Sequence, residues 1–187
     1  MQKQNLKTKY FKDIVPKMKE IFGYRSESRV PKIIKIVVNS GIGRLSQQAN
    51  FEEHLLPQLI KEFSLAVGQK PKITKARSSV AGFKTRKGQI IGLVVTLRSQ
   101  RMYDFLEKLI KIVLPRVRDF KGLDLKIIDE QGNLNIGLRD RLVFPEISPE
   151  DSKVDFGMEV AIVTNSRNRN EAVELYKLLG IPLKKYG

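Results

Sequence analysis

The side chains that usually make and break bonds are scarce in this sequence. It has one histidine, His54, and no cysteine. Ser-His-Asp and Cys-His constellations therefore have little to draw on, and thiolate metal sites and disulfides are excluded. His54 lies beside Leu55 and Leu56 on an expected helix, where a surface or boundary residue is a simpler reading than a catalyst. Gly41-Ile42-Gly43 follows an expected strand, but the third glycine of a dinucleotide-binding loop would fall at Ser46, so the pattern fails. No phosphate-cradling G-x-x-x-x-G-K-S/T loop occurs. Asp140, Glu146, Glu150, Asp151 and Asp155 cluster in sequence, and an acidic surface loop is a simpler reading than a two-carboxylate or Mg²⁺ site. No catalytic residue, metal or cofactor is expected.

The chemistry that remains is attraction for phosphate. Lys and Arg number 35 against 20 Asp and Glu, a net charge of +15. Such an excess repels itself in a compact fold, and nucleic acid is the first partner that would justify it, because each neutralised phosphate releases condensed counterions. An anionic membrane surface is the second. The charge is also segregated. From Phe63 to Tyr103 there is no acid, while nine bases occur: Lys70, Lys72, Lys75, Arg77, Lys84, Arg86, Lys87, Arg98 and Arg101. Solvated charge runs usually mix signs. Within this stretch, Arg77, Ser78, Ser79, Gly82, Phe83, Lys84, Arg86 and Lys87 form a polar loop over 76–89. Gly82 and Gly88 let backbone approach a partner closely. Phe83 has two readings, a platform for a stacked base and an anchor to the core.

The elements that must position these groups follow from periodicity. Leu6, Tyr10, Ile14, Met18 and Ile21 or Phe22 recur at helical spacing, Pro16 should kink or divide the segment, and Gly23 should stop it. Residues 30–39 read as a strand and 40–43 as a turn. Residues 51–67 fit a helix capped by Asn50 and closed by Gly68. Residues 72–76 and 90–98 read as strands, and 101–117 as the best helix, with Pro115 near its end. Residues 123–128 and 134–138 could pair as a hairpin, 139–155 is irregular, 156–164 is a strand, and 170–179 is a helix capped by Asn168 or Asn170 and ended by Gly180. The hydrophobic content of 41% supports a real core. No run is long and apolar enough to span a bilayer, and 1–19 has no apolar signal-peptide core. One domain over 1–187 is expected, with an N-terminal helical segment 1–23. The class is α+β, a mainly antiparallel sheet with helices packed on one face and an extended basic loop.

Side chains alternate across a strand, so each strand sorts its residues. Ile34, Ile36 and Val38 oppose Lys35, Val37 and Asn39. Ile91, Leu93, Val95 and Leu97 oppose Gly92, Val94, Thr96 and Arg98. Leu134, Ile136 and Leu138 oppose Asn133, Asn135, Gly137 and Arg139. One side is greasy and the other small, polar and basic. The polar side can face water, or it can dock RNA with Lys and Arg on phosphates and Asn and Thr on bases or ribose hydroxyls.

Several long motifs resemble a known family. Gly68-Gln69-Lys70-Pro71 followed by the run from Ile73 to Lys84 is similar to a signature of large-ribosomal-subunit protein five, the 5S-rRNA-binding protein of the central protuberance. Val30-Pro31 with Val37 to Gly43, Val94 to Arg98, Arg101-Met102, Leu114 to Gly122 and Phe144 to Ile147 fit in order. The resemblance spans about Leu6 to Lys185. It implies that Lys35, Asn39, Gln69 and Thr96 contact 5S rRNA, and Arg98, on the side of its strand shared with Thr96, is expected to join them. It also implies that the loop 76–89 reaches toward P-site tRNA and the small-subunit head. The sequence departs from the family at Asp129 to Leu134, where glycine, arginine and an aromatic are usual. Implied partners are 5S rRNA, 23S-type rRNA, P-site tRNA, neighbouring large-subunit proteins and a small-subunit head protein, with no membrane and no small-molecule substrate. The setting is a ribosome, in a plastid by its Lys- and Ile-rich character, with a bacterial cytoplasm as the alternative. The competing functional class is a basic RNA-processing or RNA-chaperone protein outside the ribosome.

Overall fold

The computed structural model describes residues 5–148 and 154–184. Glu150 and Asp151 of the acidic cluster lie outside the described residues. The fold is α+β, with a five-stranded antiparallel sheet and four helices among the described residues. Strands β1 (Ile33–Gly41), β2 (Lys72–Lys75), β3 (Ile90–Leu97), β4 (Leu134–Leu138) and β5 (Met158–Thr164) lie in the order β2-β3-β1-β5-β4. The helices are α1 (6–22), α2 (51–67), α3 (99–116) and α4 (Arg169–Leu179).

Proline 16 neither ends nor divides α1. A wide π-type turn, Tyr10–Ile14, comes directly before Val15-Pro16, and the same device recurs as Phe51–Leu55 before Leu56-Pro57 and Leu109–Val113 before Leu114-Pro115. A proline has no N–H to donate, and its ring crowds the carbonyl four residues back. A widened turn relieves that crowding, and the helix continues through it. Gly23, Gly68 and Gly180 stop α1, α2 and α4 in the left-handed conformation, as their positions predict. Asn50 does not cap α2 with its side chain. It takes the left-handed conformation itself, and its carbonyl accepts the first helical bond from the His54 N–H.

Chain contacts group into two compact units. Among the described residues, the first comprises 5–36, 97–136 and 161–184, the second 37–96, 137–148 and 154–160. In the first, α1 packs against both α3 and α4. Tyr10 faces Tyr103 at 6.5 Å between ring centres, and its hydroxyl donates to the Pro31 carbonyl at 3.0 Å. Burial raises the pKa of both tyrosines. Gly132 is wedged beside α4 with φ +80°, and its carbonyl accepts from Tyr176 at 2.7 Å and Thr164 at 3.1 Å.

The hairpin expected from 123–128 does not form. The Asp124 carboxylate accepts the Lys126 N–H and curls 125–127 into a 3₁₀ turn, a local bond competing with the sheet ladder. Leu123 pairs with Leu183, and only Ile128 bridges Leu134. Asp129 takes both the backbone N–H and the side-chain amide of Asn133, at 2.7 and 2.9 Å, and so holds the turn shut.

In the second unit, α2 meets the irregular segment after β4 through a buried ion pair. Arg141 and Glu62 are each 7% exposed. The Arg141 Nε lies 3.5 Å from Glu62, its Nη1 donates to Asp155 at 2.9 Å, and Gln58 donates to the other Glu62 oxygen at 3.0 Å. The Arg141 guanidinium also lies 5.7 Å from the Phe156 ring centre. Pairing and hydrogen bonding are what make two buried charges tolerable here.

Candidate nucleic-acid interface

Alternation holds along β4 and along most of β1. Ile36 and Val38 are buried, while Asn39 is exposed and Lys35 and Val37 are half-buried. Two assignments shift. Ile34 is exposed and Ile33 is buried in its place, and in β3 Ile91 is exposed while Ile90 is buried. The β3 change has a visible cause. Thr74 pairs with Gly92 and Lys75 with Ile90, which leaves Ile91 as an extra residue opposite the step between them. A bulge of this kind reverses the facing of everything beyond it. Beyond the bulge the expected phase returns, with Leu93, Val95 and Leu97 buried, Val94 half-buried and Thr96 exposed, while Gly92, which has no side chain, is itself buried.

On the open side, Gly92 lies buried beneath polar side chains of the neighbouring strands. A Cβ on Gly92 would stand 2.8 Å from the Thr74 hydroxyl, 3.0 Å from the Ser40 carbonyl and 3.8 Å from the Asn39 carboxamide oxygen. The absence of a side chain there leaves room for the Thr74 hydroxyl and the Asn39 carboxamide over the strand. Ser40 turns the other way and donates to the Gly157 carbonyl at 2.7 Å, which pins β1. Lys72 stands opposite Val94 and is exposed on the same side as Thr74. Thr96 follows two residues after Val94 on this side. Lys72 and Thr74 were missed as face residues, although alternation within 72–76 could have found them. Gln69 is half-buried after the α2 stop. Arg98 is exposed but lies past the end of β3, directly before α3, where strand alternation no longer governs it.

The basic loop has internal structure. The Ala76 N–H donates to Gln89 and the Gly88 N–H to Ala76 at its base, and Val80 and Thr85 exchange bonds of 2.9 and 3.2 Å near its tip. The Lys87 N–H donates to Ser79 Oγ at 3.0 Å between them. Gln89 donates to Ser46 at 2.8 Å, and Gln47 to the Phe83 carbonyl at 3.4 Å, so the residues after β1 brace it. Lys84 turns the tip with φ 51°. Arg77, Ser78, Ser79, Gly82, Lys84, Arg86 and Lys87 are all exposed. Phe83 is 78% exposed, so it is no core anchor. It borders a groove of about 720 Å³ with Arg44, Lys84, Thr85 and Ile91, whose floor includes Gly41 and Gly43. An aromatic, an aliphatic and two cations around a groove of this size suit the flat apolar faces and charged edge of a nucleotide. Among the described residues no group of three or more His, Asp or Glu could hold a metal, and no helix is long and apolar enough to cross a membrane.

The chain matches known proteins over nearly its whole length. The family profile for ribosomal protein L5 matches residues 26–86, and the profile for the C-terminus of the same ribosomal family matches 90–183. A protein of Pseudothermotoga lettingae named large ribosomal subunit protein uL5 is 48% identical over 180 residues, 96% of each chain. One of the same name from Gloeothece citriformis is 44% identical over 182 residues, 97% of this chain and 99% of its own. A third, from Thermotoga maritima, is 47% identical over 180 residues, 96% of each chain.

Proposed function

Because this chain belongs to the ribosomal protein L5 family of the large subunit, a family of structural and not enzymatic proteins, we propose that it holds 5S rRNA through the open face of its sheet. Membership places it in the ribosome, with rRNA and ribosomal proteins as partners. The observation that carries the finer reading is the polar cover over Gly92, where the side chains of Asn39 and Thr74 lie on the same side of the sheet as exposed Thr96 and Lys72. Asn and Thr offer hydrogen bonds to base edges and ribose hydroxyls, and Lys72, with Lys35 farther along β1, supplies charge to phosphates. Gln69 and Arg98 extend the set. Binding is its mechanism, and no bond is made or broken.

The loop 76–89 serves a second contact, with P-site tRNA and the small-subunit head. Its support is the row of exposed cations on a hydrogen-bonded frame, and the free face of Phe83, which offers an unpaired base a stacking surface. 23S-type rRNA and neighbouring proteins complete the surroundings in the central protuberance. The Lys- and Ile-rich sequence supports a plastid ribosome as its setting. The relatives named above are bacterial, and mass spectrometry of ribosomes from isolated plastids decides between the two.

The test is the double variant Lys35→Ala with Asn39→Ala, assayed by filter binding to 5S rRNA. Both side chains are at least partly exposed, so unfolding should be unaffected within about 0.5 kcal/mol. Loss of one phosphate contact and one polar contact should weaken binding roughly tenfold to a hundredfold. Unchanged affinity rejects the sheet-face site.

A further inference from the structure

Where α1 stops, the chain builds a second cationic site that the sheet face and the loop do not use. Gly23 reverses the chain in the left-handed conformation, and Ser26 accepts the Ser28 N–H to fold 27–29 into a 3₁₀ turn. This carries Arg25 and Arg29 to the same pocket. The opposite wall comes from the end of β5 and the start of α4. There Asn165 exchanges two bonds with Lys32, its Oδ1 accepting the Lys32 N–H at 2.7 Å and its own N–H donating to the Lys32 carbonyl at 3.2 Å. Arg167 follows, and its backbone N–H donates to Glu171 at 3.2 Å. The pocket encloses about 570 Å³, and Arg25, Arg29 and Arg167 line it with Tyr24, Asn165 and Glu171.

Three arginines and one glutamate line it, so the lining carries a net charge of 3 − 1 = +2. Among the described residues, no carboxylate lies within ion-pair distance of Arg25, Arg29 or Arg167. A second observation points the same way. The Tyr24 hydroxyl is sequestered from solvent with the Glu171 carboxylate as its one neighbouring acceptor, at poor hydrogen-bond geometry, and Arg29 and Arg167 are near enough to act on its charge. A hydroxyl shielded from water and poorly aligned on its neighbour would gain from an oxygen-rich ligand in the pocket. Arginine's fork of donors matches the tetrahedral oxygens of phosphate.

We propose that this pocket binds a backbone phosphate of ribosomal RNA through Arg25, Arg29 and Arg167, as a contact separate from the sheet face. The inference rests on the reading of the chain as an rRNA-binding protein. It differs from that reading in the residues it needs, so each can fail alone.

The test uses the full chain with Arg25→Gln, Arg29→Gln and Arg167→Gln combined, bound to 5S rRNA and to 23S-type rRNA across a salt series. Affinity for one of the two RNAs should fall at least tenfold, and its salt slope should drop by about one for each phosphate released. Unchanged affinity and slope on both RNAs overturn the pocket, even where Lys35→Ala with Asn39→Ala still weakens 5S binding. The reverse pattern overturns the sheet face and leaves the pocket standing. A second measurement avoids mutation: phenylglyoxal modification of the three arginines, read by mass spectrometry in free protein and in assembled large subunits. Protection in subunits that is lost after ribonuclease treatment supports the proposal. Protection that survives ribonuclease means an acidic protein neighbour, and protection of free protein by millimolar inorganic phosphate alone means a site for the free anion; either result overturns it.

Discussion

Replacing Gly132 by alanine isolates how much one packed turn contributes to this fold. The added Cβ would stand 2.0 Å from the Ser166 hydroxyl and 2.6 Å from the Ala172 Cβ, at a backbone φ of +80°. The left-handed conformation alone costs an L-residue about 1–2 kcal/mol. Ser166 can rotate away, but it then gives up its contacts with Thr164 at 2.8 Å and the Gln131 carbonyl at 3.2 Å. Ala172 cannot yield by rotation. It is fully buried on α4, so the helix itself must shift, at an overpacking cost of about 1–3 kcal/mol. The sum is about 2–5 kcal/mol, a large share of the ~5–15 kcal/mol that holds a typical domain. Gly23→Ala is the control, because its φ is +65° and nothing lies within 4 Å of the added atom. It should cost about 1–2 kcal/mol, from conformation alone. Urea unfolding of both variants, with unchanged slopes, gives the difference directly. Equal destabilisation within about 0.5 kcal/mol would show that the crowding against α4 is relieved for nothing, and would refute the packing argument.

Arg141→Met should destabilise by about 3–5 kcal/mol because it strands Glu62 in the interior, and Glu62→Leu in the same chain should restore most of it; calorimetry that finds the double variant no better than the single contradicts this. Gly92→Ala should weaken 5S rRNA binding more than it lowers the melting temperature, since its Cβ would displace the Thr74 hydroxyl from the open face and press on the Ser40 backbone carbonyl. Filter binding beside thermal melts checks the order of the two effects. Deleting Ser78 to Lys87 should leave 5S binding intact and slow tRNA-dependent steps in reconstituted translation, and equal damage to both would mean that the loop has been assigned to the wrong ligand. Tyr10, Tyr103 and Tyr176 have pKa values raised by burial, so their ionisation favours the unfolded chain. Their contribution is intact below the ordinary value of 10.0 and is lost as pH rises through and above it. Denaturant midpoints that stay level from neutrality to pH 11 would contradict their burial.

Much of the binding logic is local and could be read from residue order. Net charge, the acid-free run from Phe63 to Tyr103, the glycine stops after α1, α2 and α4, and the sides taken by Lys35, Asn39 and Thr96 all follow from composition and short-range periodicity. So does the family resemblance, which lies in contiguous motifs. What periodicity cannot report is which distant segments meet. The bulge at Ile91 depends on how β2 registers against β3, and that one extra residue decides which of two adjacent isoleucines enters the core. The fate of 123–128 turned on a side-chain bond from Asp124 and a pairing with the far end of the chain. Phe83 was open to two readings until the brace from Gln47 and Gln89 fixed the loop with the ring in solvent. Arg25 and Arg29 form one cluster with Arg167 only because Lys32 and Asn165 tie the start of β1 to the end of β5. Charge and pattern are properties of neighbours along the chain, whereas a site is a property of neighbours in space, and long-range packing alone creates those.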